Sequence, residues 1–208
     1  MVRGLLRPVL FALVCLAALA GAEAAGAHGM RAGSDMSGIA IPSLGHGEMA
    51  VIAPYRSEIM DLALSAADTD EPFRRVLNFA QIQYAYCLWG VMPGSLSDEE
   101  SPFNECAHAY LAATKAVLLS MRGMPAEAAR AGAIASRLDA ALVASGLAMV
   151  LCQFSAESFN TADIVAPRWS GIPLHMPSAA ASLSFVAALS AGGWGMRRLL
   201  RAGSSPDG

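Results

Sequence analysis

The sequence predicts an all-α protein: a four-helix exported domain followed by one C-terminal transmembrane helix. Three observations carry this. Apolar residues recur at three- and four-residue spacing from residue 54 to 158, and no run alternates as a half-buried strand would. Residues 178–196, SAAASLSFVAALSAGGWGM, form an uncharged apolar stretch. Residues 1–27 have the layout of an export signal. Composition agrees, since 55% of the 208 residues are hydrophobic and only 15% charged. A mean hydropathy of +0.45 is too apolar for an ordinary soluble domain and excludes disorder. The formal net charge of −3 removes any electrostatic case for nucleic-acid binding.

In the signal, Arg3 and Arg7 supply the basic region and Pro8 to Ala22 the apolar one. Small-residue patterns place cleavage after Ala24 or Ala27. Cys15 is not a lipoprotein cysteine, because Val14 stands where a small residue is required. Residues 28–53, rich in Gly, Ser, Met and Pro, read as an irregular arm. Pro54 opens the first helix, 54–67, with Tyr55, Ile59, Leu62, Ala63 and Ala66 on one face. Asp68-Thr69-Asp70 ends it and caps the second, 71–92, with Pro72 in the first turn. That second helix carries two apolar stripes. One is Phe73, Val76, Leu77, Ala80, Tyr84, Cys87, Leu88 and Val91; the other is Phe79, Ile82, Tyr86 and Trp89. A helix apolar on two faces is expected at the centre of a bundle.

Met92-Pro93-Gly94 breaks the second helix, and the acidic loop Asp98-Glu99-Glu100 follows. Ser101-Pro102 starts the third, 102–122, striped by Cys106, Tyr110, Ala113, Val117 and Met121. The fourth, 125–158, is striped by Ile134, Leu138, Ala141, Leu142, Ser145, Met149 and Cys152. Residues 160–177 form a proline-rich connection out of the helical domain, 54–159, and no strand is expected. The uncharged stretch 178–196 would rise about 28 Å as a helix, close to a hydrocarbon core of about 30 Å. Arg197, Arg198 and Arg201 in the tail 197–208 put that end in the cytoplasm by the positive-inside rule, which agrees with the export signal. Between residues 25 and 178 acidic residues outnumber basic ones by 15 to 9, so anionic surfaces are poor partners for this part.

The cysteines beyond the signal are Cys87, Cys106 and Cys152. Cys87 and Cys106 fall at matching depths of the hairpin formed by the second and third helices. A bridge between them closes a 20-residue loop, worth about 3 kcal/mol in the chain-entropy picture. Cys152 reads as a small buried apolar residue, or as a thiol for an intermolecular bond.

The arm holds His28, Met30, His46 and Met49, a mixture of imidazole and thioether that suits copper, with the soft sulfur favouring the cuprous ion. After cleavage at Ala27, His28 would be N-terminal, an arrangement that resembles the histidine brace of some exported copper proteins. Glu105 and His108 have the spacing of the Glu-x-x-His element of di-iron bundles, but the second copy that this chemistry needs is missing. Haem-attachment, zinc-protease, nucleophile-elbow and phosphate-loop motifs are absent too. Tyr84, Trp89, Asn104, Glu105, His108 and Tyr110 mix aromatic and polar character around the hairpin, as a partner-binding surface does and as the packed core of a disulfide-linked hairpin also does. The expected function is therefore a membrane-anchored, non-catalytic accessory or interaction subunit of a membrane complex. Copper binding or delivery through the arm is the alternative, and an enzyme whose site cannot be read from the sequence is the third.

Overall fold

The computed structural model describes residues 38–147, 150–151, 154–155 and 157–203, all within the unit Ser37–Gly208. The export signal, His28, Met30 and Cys152 lie outside the described residues. In chain order the elements are β1 (Ala40–Ile41), α1 (His46–Ile52), a 3₁₀ turn (Ala53–Tyr55), α2 (Arg56–Leu64), α3 (Glu71–Tyr86), α4 (Asn104–Met121), α5 (Ala128–Ser145), β2 (Phe159–Asn160), a second 3₁₀ turn (Trp169–Leu174) and α6 (Met176–Gly203). The protein is mostly helical, as expected, and its last helix is long and apolar. In place of four helices before that last one, the described residues contain five.

The centre of the fold is α4, not the second expected helix. It packs on α1, α2, α3 and α5, and Cys106, Ala107, Ala109, Tyr110, Leu111, Ala112, Ala113 and Val117 along it are all buried. Alanine explains this: side chains that short let neighbouring helices approach from several sides, although they add little to an apolar stripe read from sequence. In α3, Phe73, Val76, Leu77, Phe79 and Ala80 are buried, while Ile82, Tyr84 and Tyr86 of the same helix are exposed. Its start is as expected: the Asp70 carboxylate accepts from the Phe73 N–H at 2.8 Å, with Pro72 in the first turn.

The expected helix ends move for local reasons. The helix expected to reach residue 92 stops at Tyr86, and Leu88, Trp89 and Gly90 follow with φ of 49°, 67° and 79°, outside helical space. The helix expected to reach 158 stops at Ser145, where Gly146 takes the left-handed conformation at φ 66°. The third helix starts at Asn104, after a turn in which Ser101 Oγ accepts from the Phe103 N–H.

The arm expected to be irregular is ordered from β1 onward. Ala40 and Ile41 pair antiparallel with Asn160 and Phe159, a two-residue ladder where no strand was expected. α1 follows, with Glu48 reaching back to the Gly45 N–H at 3.0 Å, where a carboxylate also suits the helix dipole. Met49 and Ile52 then enter the core.

Cys87 and Cys106 stand at disulfide distance, with Cα atoms 5.6 Å apart, joining the end of α3 to the start of α4. Beside them lies Gln83, fully buried. Its side chain donates to the Val165 carbonyl and accepts from the Val165 N–H, both at 3.0 Å, as a strand neighbour would. Peptide mapping without reduction should recover Cys87 and Cys106 in one linked fragment. Replacing both by alanine should lower the unfolding free energy by about 3 kcal/mol, read from urea titration in detergent. Free thiols at both positions in oxidised protein would refute the bridge.

Candidate functional site

The contact of α1 with α4 brings together two histidines 62 positions apart in the chain. His46, the first residue of α1, has its ring 5.9 Å from that of His108, tilted by 38°. His108 is fully buried on α4, and the Phe154 ring stands 6.1 Å from it on another side. The Leu44 carbonyl accepts a hydrogen bond from the His108 ring. His46 is anchored through its backbone N–H, which donates to Ser155 Oγ at 3.2 Å, while its Nδ1 is buried with no hydrogen-bond partner. The next residue, Gly47, lies so close to the Leu147 carbonyl that a side chain there would collide with it.

Burial, and then the proximity of His46, push the His108 pKa from 6.5 down to about 4, against the opposing hydrogen bond to Leu44. The imidazole is therefore neutral at pH 7 and its ring is oriented by a backbone carbonyl, as metal-binding histidines commonly are. Two turns further along α4, Lys115 pairs with Glu48 of α1 at 2.5 Å. Burial alone would raise the Glu48 pKa, but the hydrogen bonds from Lys115 and Gly45 and the Lys115 charge outweigh it and lower the value.

The four arm ligands are not seen together. His28 and Met30 lie outside the described residues, and Met49 is fully buried in the hydrophobic core, on a helix and not on a flexible arm. Among the described residues, no three His, Cys, Asp or Glu side chains are grouped closely enough to hold an ion. The expected partner surface also divides. Tyr84 and Trp89 are exposed, but Asn104, His108 and Tyr110 are buried, because α4 is central. Asn104 donates to the Ser95 carbonyl at 2.7 Å and Tyr110 packs 5.6 Å from the Tyr84 ring. Glu105 is half-buried; burial and the Glu157 charge raise its pKa against the opposing charge of Arg168.

A second polar cluster forms where α6 begins. His175 Nε2 lies 2.9 Å from Asp98 Oδ2, and Nδ1 lies 2.7 Å from Ser178 Oγ. The residue types are those of a hydrolytic triad, but Ser178 is fully buried, so its hydroxyl cannot meet a substrate. The His175 ring also accepts from the Ser178 N–H at 3.3 Å, as a helix cap does. Its hydrogen bond holds the Asp98 pKa below the usual value. The cluster ties the acidic loop to the root of α6. His46 with His108, and Asp98 with His175, could not be paired from sequence, because no motif spans those separations.

No protein family, curated protein or solved structure matches the chain.

His108 gives the fold a pH dependence of known sign. Its folded pKa lies below the unfolded value, so between pH 6.5 and about 4 the unfolded chain binds a proton that the folded chain refuses. Stability is complete above 6.5 and falls as the solution is acidified through that window. Urea titrations at pH 7 and pH 5 should differ by roughly 2 kcal/mol from this group, and His108→Gln should flatten the difference.

Proposed function

We propose that the chain is a single-pass membrane protein whose helical domain is held on the exported side and acts as an accessory or interaction subunit of a membrane complex. The observation that carries this is α6. Met176–Leu200 is long and apolar enough to cross a bilayer, and its apolar window is not buried against the domain. Large side chains along it, among them Leu183, Phe185, Leu189, Trp194 and Met196, are exposed where a water-facing helix would be polar. Arg198 stacks over the Trp194 ring at 4.0 Å, a pairing suited to a membrane–water boundary, and the arginines there support a cytoplasmic C-terminal end by the positive-inside rule. Exposed Tyr84 and Trp169 supply the kind of side chain that dominates binding interfaces. A reporter fused at Gly208 should be active only in the cytoplasm, and one fused after Pro167 only outside it. The reverse pattern would overturn the orientation, and a chain released from membranes by alkaline carbonate would overturn the span. For the subunit role, the chain extracted in mild detergent should run with a stoichiometric membrane partner; a pure monomer would overturn it.

A second reading, cuprous copper binding, is favoured by one observation: the approach of His46 to His108. With metal–nitrogen bonds of about 2 Å, two imidazoles sharing an ion place their ring centroids roughly 5–6 Å apart, and these two stand at 5.9 Å. The cuprous ion accepts few ligands, and a buried His46 Nδ1 with no hydrogen-bond partner is a donor atom it can use. His28 and Met30 would complete the set from the preceding segment. His46→Ala should lose at least tenfold in cuprous affinity against a chromophoric chelator while its circular dichroism is unchanged. Equal copper uptake by wild type and His46→Ala would remove this reading and leave the first intact.

A further inference from the structure

Of the second apolar stripe, Phe79 is buried in the core, but Ile82, Tyr86 and Trp89 are exposed. Along its outer face, Arg75 and Asn78 are exposed in the first half, and Ile82 and Tyr86 in the second, 43% and 47% exposed. A helix facing water throughout stays polar along its whole outer face. This one turns from charged to apolar along its axis, and the apolar end runs into Trp89, 56% exposed.

The backbone is committed to presenting Trp89. Leu88 and Trp89 both take positive φ, a conformation that large side chains rarely adopt. The turn is pinned on both sides. Cys87 before it stands at disulfide distance from Cys106. Gly90 after it donates to the Tyr84 carbonyl at 3.0 Å and lies so close to the Tyr110 ring that a Cβ there would strike it. Held this way, the Trp89 ring points away from the core and meets Phe185 of α6 edge-on, with centroids 5.9 Å apart.

Phe185 sets the depth. It lies twelve residues before Arg197, about 18 Å along the helix. A hydrocarbon core of about 30 Å measured from the arginines reaches roughly 12 Å past Phe185 toward the domain. A ring packed edge-on against Phe185 therefore shares the level of the outer acyl chains. We propose that the outer end of α3 is a membrane-embedded face: Ile82, Tyr86 and the turn carrying Trp89 dip into the outer leaflet beside Phe185, so the domain lies against the bilayer and does not stand off it. This rests on the reading of α6 as a membrane span. The occupant is lipid because the face is continuous with that span through the Trp89–Phe185 contact. It is zwitterionic lipid because carboxylates outnumber cations at the root of α6: Asp98, bound to His175, and Glu99 and Glu100 stand beside Arg168, which reaches the Glu100 and Ser101 carbonyls. Apolar insertion, not charge, makes the attachment.

The test uses the full chain in phosphatidylcholine vesicles carrying acyl-brominated lipid as a fluorescence quencher. With Trp169 and Trp194 replaced by phenylalanine, Trp89 should lose at least half as much emission as Trp194 does when it is the remaining tryptophan. Trp89 should also resist aqueous iodide. In the chain with all three tryptophans, Trp89→Phe alone should remove a matching share of the lipid quenching, which guards against a misfolded double variant. If Trp194 is quenched by lipid and Trp89 is not, the face lies in water or under protein; the inference then falls and the anchor stands. If neither is quenched, the span itself is wrong.

Discussion

The joint between the end of α3 and the start of α4 is the constraint on which most of the molecule hangs. Cys87 and Cys106 close it, and Gln83 sits buried beside them with its amide turned to Val165. A buried amide with no partner would be costly, so the 157–165 segment has one position on the domain at which that cost is met. Once placed, this segment offers Phe159 and Asn160 to β1, and Thr161 donates to the Ile39 carbonyl at 3.0 Å. β1 leads directly into α1. A chain of pairings thus runs from one helical joint to the stretch that delivers His46 to His108.

The same joint governs what happens outside the core. The chain must leave helical geometry at Cys87 to meet Cys106, and the left-handed turn that follows throws Trp89 outward. The loop then returns past Gly94, within 3.8 Å of His175 and Pro177 if that glycine bore a Cβ, to Asp98 and its bond with His175. The 88–100 segment therefore touches α6 at Phe185 and, just before that helix begins, His175. A helix with no buried apolar window is held near the domain by this loop and by the 3₁₀ turn before it, whose Trp169 ring meets Phe103 edge-on.

Polar burial and helix packing are coupled in the α1–α4 contact. His108 is accommodated neutral, and Glu48 with Lys115 supplies a charge pair at the rim of the same interface. Exposed pairs of this kind contribute little, but Glu48 also satisfies the Gly45 N–H, so one side chain both starts α1 and docks it. The two imidazoles meet because a seven-residue helix, too short to persist alone in water, is held in place by its neighbours.

By itself the sequence determined the helical class, the apolar last helix, the Asp70 start of α3 and the matching depths of Cys87 and Cys106. Each of these follows from local physics: a 3.6-residue period, an uncharged run, a capping carboxylate, a hairpin of countable length. Tertiary structure decided the rest. α4 became the centre because its alanines allow close approach, a property of the neighbours and not of the helix alone. α1 and β1 formed in a stretch with no periodic signal because Gly47 fits against Leu147 and Ile41 pairs with Phe159. His46 found His108, and Ile82, Tyr86 and Trp89 turned outward, for the same reason. Contacts between residues far apart in the chain leave no pattern in a single sequence, since each partner is compatible with many others until packing selects one.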